Sequence, residues 1–190
     1  MTSLAVIDLE LTGLEISEGH RVASLGVVRL GKTPETDLHR EWFFKTDIPT
    51  DADGMRIHGM SQEYLSRFPT FQQQSLDIAA VIGNAHIVHH CWLKKNDSSN
   101  DEDALASEFN RAGLAIIPHT RWINIKKVAM ELSPSANSLD NMLDLFGIDR
   151  SARAERHGAL IDANLTTQLF RKMQRDVRTV PMIAKLLGPR

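Results

Sequence analysis

The sequence predicts one α/β domain built on a mixed central sheet of about five strands flanked by helices. β-forming apolar runs crowd its first part, and apolar residues at three- and four-residue spacing dominate its second. Further strand-like runs lie between the two regimes, so the strands have helices to pack against them rather than a second sheet.

Leu4 to Leu9 is a short apolar run ending at Thr12-Gly13, which reads as a buried strand followed by a turn. Arg21 to Leu30 is a second strand, closed by Gly31-Lys32-Thr33-Pro34, and Glu41 to Lys45 is a third, halted by Pro49 and the Asp51 to Gly54 cluster. Short connections between these three predict an antiparallel meander. Ser61 to Ser66 reads as a short helix with Ser61 as its N-cap, and Thr70 caps a helix running to Ile82. Ala85 to His90 is a fourth strand and Asp103 to Ala112 a helix closed by Gly113, with Ala115 to Ile117 as a candidate short extension. Ile123 to Leu132, Ser138 to Phe146 and His157 to Arg175 carry helical apolar spacing. Residues 1–175 form the expected domain, and 176–190 a tail holding one short helix. Lys94 to Asp103 is a strongly polar, loop-like insert.

Of 190 residues, 42% are hydrophobic and 24% charged, with 22 Lys+Arg against 24 Asp+Glu. This near-balance argues against holding nucleic acid by a bulk basic surface, yet it is compatible with a nuclease, whose metal site needs carboxylates. The single cysteine, Cys91, allows no internal disulfide, so a reducing cytoplasm is the expected compartment. Asp8 and Glu10 interrupt the N-terminal apolar run, and no stretch approaches a membrane span, so neither a signal peptide nor a membrane is expected.

Asp8 and Glu10 stand one residue apart near the end of the first strand, so both carboxylates project from one face. Two like charges that close are costly unless a cation lies between them, and an all-oxygen pair suits a hard divalent ion. Asp162 lies five residues after His157, and both can approach one site if His157 stands at the start of its helix or just outside it. A histidine beside such acids is suited to take a proton from water near neutral pH.

Taken in order, these residues resemble the DnaQ-like 3'-to-5' exonucleases of the DEDDh type, most closely the epsilon proofreading subunits of bacterial DNA polymerase III. The resemblance rests on Val6-Ile7-Asp8-Leu9-Glu10-Leu11-Thr12-Gly13-Leu14, on Ile57-His58-Gly59-Met60 with Phe68 to Phe71, and on Asn137 to Asp140 with Phe146 to Asp149. It closes with His157-Gly158-Ala159-Leu160-Ile161-Asp162-Ala163 and spans roughly residues 4 to 175.

The resemblance implies an RNase H-like fold, two divalent ions, Mg²⁺ or Mn²⁺, and release of nucleoside monophosphates from a 3' end. It assigns Asp8 to bridge or bind the ions, Glu10 to complete their coordination, Asp162 to the ion carrying the attacking water, and His157 to that water's proton. Leu11, Thr12 and Gly13 would line the pocket for the 3' nucleotide, with His58 and Met60 as further contacts. The implied partners are a single-stranded DNA or RNA 3' end, DNA favoured, and a polymerase or replisome. No clear clamp-binding segment follows, so a stand-alone nuclease is equally compatible.

The second motif departs from the family. The strand ends His89-His90-Cys91, with His90 in the family histidine's place, and an ungapped continuation would put Lys95 where a metal-binding aspartate belongs. Counting back seven residues from Glu108, whose helix resembles the family's next one, reaches Asp101 instead, with Asp97 and Asp103 as alternates. If none of these reaches the site, the alternative is a weakened member of the fold that binds nucleic acid or a polymerase. His86, His89, His90 and Cys91 match no paired zinc-ligand spacing. Trp42, Trp92 and Trp122 are able to stack bases, but isolated tryptophans more often pack in the core or on the surface, so they stay outside the expected site.

Overall fold

The computed structural model describes residues 3–92, 94, 98–153 and 157–187. Strands β1 (Leu4–Leu11), β2 (Val22–Arg29) and β3 (Leu38–Phe43) form the antiparallel meander. Helices α1 (Ala52–Ile57), α2 (Gln62–Leu65) and α3 (Phe71–Ile82) lead to β4 (His86–His89), which pairs parallel with β1. Then come α4 (Asn100–Arg111), β5 (Trp122–Asn124), α5 (Ile125–Leu132), α6 (Leu139–Leu145), α7 (Ala159–Met173) and α8 (Val180–Leu187). The strand order is β3-β2-β1-β4-β5, which puts β1 at the centre.

Strand alternation divides the core between the two faces of this sheet. Ala5, Ile7 and Leu9 of β1 pack with Leu25, Val27 and Ile87 against α3 and α4. Val6 joins Val28, Val88 and Ile123 on the opposite face, under α5, α6 and α7. Ile183 of α8 is buried in that second cluster, so the tail helix packs back onto the domain.

Local chemistry accounts for several boundaries. Ser61 and Thr70 cap α2 and α3, Thr70 in a reciprocal capping box with Gln73. The Asp51 to Gly54 cluster, read from sequence only as a strand breaker, starts a helix, because the Asp51 side chain accepts from the Gly54 amide at 2.7 Å. Helix α4 begins at Asn100, ahead of the expected Asp103, because Ser99 caps it through the Glu102 amide. The fifth strand is Trp122–Asn124 rather than Ala115 to Ile117: Ile123 fills the core beside β4, and Asn124 then caps α5, which therefore starts at Ile125.

Candidate active site

Asp8 and Glu10 continue the face of β1 that begins with Val6, the face covered by α7. Asp8 is the register partner of Gly26 on β2. A Cβ on Gly26 would lie 2.4 Å from the backbone carbonyl of Ala159, so only glycine lets the first turn of α7 come this near to the sheet. That turn carries Asp162, and the ligand oxygens of Asp8, Glu10 and Asp162 all lie within 4.8 Å of one another.

Three acids so close resist ionising together. The Asp8 carboxyl is held well above its ordinary range, first by loss of hydration and then by the charges of Asp162, Glu10 and Asp101. Glu10 is pushed up to about 8, by burial and then by Asp162, with the Arg153 guanidinium opposing. Asp101 contributes at both residues, so its charge is felt at the cluster.

Asp101 sits in the first turn of α4, buried, with Oδ2 3.1 Å from His89 Nδ1. It is thus His89, not the His90 that fits the family pattern, that touches this aspartate. Burial presses His90 down to about 3. Helix α4 is fastened to β2 by Arg21, whose Nε and Nη2 donate to the two Glu108 oxygens at 2.6 and 2.8 Å. The glutamate that served as a ruler for finding Asp101 is therefore the one that holds its helix in place. Asp103 instead pairs with Lys94 Nζ at 2.7 Å, while Asp97 and Lys95 lie outside the described residues.

His157 precedes α7, outside the helix, and Gly158 takes the N-cap position. Its Nδ1 is 3.8 Å from Asp162 Oδ2 and receives a hydrogen bond from Arg153 Nη2 at 3.0 Å. Burial, then the neighbouring Arg153, lowers the imidazole pKa, with Asp162 and Asp140 acting the other way. Sequence reasoning missed Arg153. Its Nε donates to Asp162 at 2.7 Å and its Nη1 to Asp140 at 2.5 Å, so one guanidinium ties together an acid of the cluster, the histidine beside it and the first turn of α6. The only hint in the sequence is that arginines stand at positions 150, 153 and 156, shortly before His157.

A groove of about 660 Å³ runs beside the cluster, lined by Glu10, Leu11, Gly13, His58, Trp92 and Asp101 among others. Thr12, expected on that wall, has no exposed surface: its hydroxyl accepts from the Arg21 amide at 2.9 Å and pairs with His20 Nδ1 at 3.1 Å, so it braces the turn after β1. Gly13 makes room for that histidine, because a Cβ would meet the His20 ring at 2.5 Å. His58 accepts the Met60 amide on Nδ1, which leaves Nε2 to donate to the Leu11 carbonyl at 3.0 Å. Met60 faces a smaller cavity of about 290 Å³ shared with His58, Tyr64 and His157.

The family model for exonucleases matches residues 5–170. The chain belongs to the exonuclease family. Within it the chain is of the DnaQ-like, 3'-to-5' kind. It is 28% identical over 175 residues to the DNA polymerase III subunit epsilon of Haemophilus influenzae, which covers 88% of this chain and 66% of that relative's length. Its fold matches the nuclease domain of the 3' exonuclease 3'hExo, described as a DEDDh family member and bound to rAMP, with a TM-score of 0.70, 20% identity, and 93% and 94% of the two chains covered. It also matches Escherichia coli exonuclease I in a zinc-bound complex with single-stranded DNA, with a TM-score of 0.74, 14% identity, and 96% and 42% covered. The RNase H-like exonuclease fold expected from the motifs is the fold this family member has. Among the described residues, no helix is long and apolar enough to cross a membrane.

Proposed function

We propose that this exonuclease-family chain hydrolyses the terminal phosphodiester at the 3' end of single-stranded or frayed nucleic acid, DNA in preference to RNA, and releases nucleoside monophosphates. The observation that carries the reading is the convergence of Asp8, Glu10 and Asp162 within 4.8 Å, with His157 at the edge of the same cluster. Three carboxylates offering only oxygen, at a spacing that raises the protonation range of two of them, fit hard divalent cations, and the family is divalent-metal dependent. Asp8, Glu10, Asp162 and Asp101 would hold two such ions, Mg²⁺ or Mn²⁺, which when bound supply charge to the attacking and leaving oxygens.

The chain's own residues supply the rest. Leu11 and Gly13, with His58 fixing the Leu11 carbonyl, form the wall against which the 3' nucleotide lies. His157 takes the proton of the attacking water. A guanidinium only donates, so while Arg153 occupies Nδ1 the neutral imidazole carries its proton on Nε2 and cannot accept another. Arg153 must therefore release His157 Nδ1 before hydrolysis, and the incoming phosphate is the anion suited to draw its guanidinium away. Asp101 beside the cluster favours a working enzyme over a weakened fold member. A polymerase partner and a cytoplasmic location complete the reading.

The test is a gel assay on 5'-labelled single-stranded DNA and RNA with Mg²⁺, Mn²⁺ or EDTA, beside Asp8→Ala. A metal-dependent ladder shortening from the 3' end and missing in the variant is expected; no ladder on either strand would refute the reading.

A further inference from the structure

A second cavity, of about 430 Å³, opens beside the catalytic groove against α5, lined by Cys91, Trp92, Asn124, Lys126 and Met130 among others. Cys91 and Trp92 line both spaces, so the two are contiguous at the indole. Trp92 is 62% exposed, an unusual cost for so large an apolar ring. One side of the ring lies over Lys126 Nζ, 2.8 Å from the centroid. Lys126 itself is only 3% exposed and its ammonium makes no hydrogen bond among the described residues. Burial lowers its pKa to about 8. A buried cation with three donors and only a ring face for company is a binding group without its anion.

We infer that this cavity is a further nucleotide subsite, in which the free indole face of Trp92 stacks a base of the single-stranded substrate and Lys126 takes the adjoining phosphate. The inference rests on the proposed nuclease reading, since the strand that enters the groove is the one that continues over Trp92. Aromatic stacking accepts any base, and a single lysine contacts phosphate without reading sequence, so the subsite lengthens the grip on the strand without adding base specificity. Glu131, also on the lining, keeps the local charge modest and confines the phosphate to the lysine end.

The experiment follows quenching of wild-type tryptophan fluorescence by dT8 or rU8 in Ca²⁺ and, for every variant, the anisotropy of the same oligonucleotides carrying a 5'-fluorescein, and separately measures hydrolysis of the p-nitrophenyl ester of thymidine 5'-phosphate in Mg²⁺, a substrate too short to reach Trp92. Trp42 is buried and Trp122 half-buried, so wild-type quenching reports chiefly on Trp92, while the anisotropy gives the affinities of variants that lack it. Trp92→Ala is expected to weaken dT8 binding about ten-fold, and Trp92→Phe, which keeps a stacking ring, less than about three-fold. Lys126→Met should make the dependence of log affinity on log salt shallower by about one, a change that a purely structural lysine would not produce. Matching losses on rU8 would extend the subsite to RNA, whereas losses on dT8 alone would restrict it to DNA. Ester hydrolysis with no quenching, equal affinity of Trp92→Ala and wild type, or an unchanged salt slope would overturn the subsite. Quenching with no ester hydrolysis would instead remove the nuclease reading and leave the subsite standing.

Discussion

Gly26→Ala tests how closely catalysis depends on the seating of α7. The added Cβ would sit 2.4 Å from the Ala159 carbonyl, against about 3.4 Å for ordinary contact, and its neighbours there are backbone atoms that no rotamer change can move aside. The first turn of α7 must therefore retreat by about 1 Å, carrying Asp162 away from Asp8 and Glu10. Forcing a methyl into a packed interface costs about 1–3 kcal/mol, which at this chain length lowers Tm by roughly 2–12 °C. A displacement of about 1 Å at reacting groups costs about 100-fold in rate. The assay is release of mononucleotides from single-stranded DNA well below the variant's Tm, with melting followed by fluorescence with and without Mg²⁺. The expected result is a rate loss far exceeding any loss of folded protein, together with a smaller Mg²⁺-induced rise in Tm. Wild-type rate and Tm in Gly26→Ala would refute the claim that this contact sets the geometry of the acid cluster.

Asp101→Asn should lower the hydrolysis rate by about 10- to 100-fold in a gel assay, whereas Asp103→Asn, which loses only a partly exposed pair with Lys94, should change it little. Without metal, Glu10 has a folded-state pKa of about 8, above its unfolded value, so the folded protein holds more protons and its stability falls as pH rises. Thermal melting in EDTA should therefore show Tm declining as pH rises toward about 8, and saturating Mg²⁺ or Glu10→Gln should make the decline shallower. Arg153→Met leaves Asp162 buried without its cation, so melting in EDTA should show the metal-free protein destabilised by about 3 kcal/mol, with Mg²⁺ restoring more Tm than in wild type.

Much of this architecture follows from local rules. A period of two on β1 is enough to put Asp8 and Glu10 on one face, and the hydroxyls of Ser61 and Thr70 start their helices through bonds made within one turn. The offset between His157 and Asp162 likewise follows from helical geometry, with the histidine just outside the first turn. Contacts across long stretches of chain are different, because no local period encodes them. Asp101 could be counted to only from Glu108; what brings its charge to bear on Asp8 and Glu10 is the Ser99 cap together with the Arg21 anchor on α4. The location of the fifth strand depended on which short apolar run could fill the core beside β4, and Ile123 does so. Arg153 and Trp92 gave the least sign of themselves. A long guanidinium reaching two acids and a histidine, and an indole resting on a buried ammonium, become legible only when packing has brought separate elements together, since their partners are set by distance in space rather than along the chain.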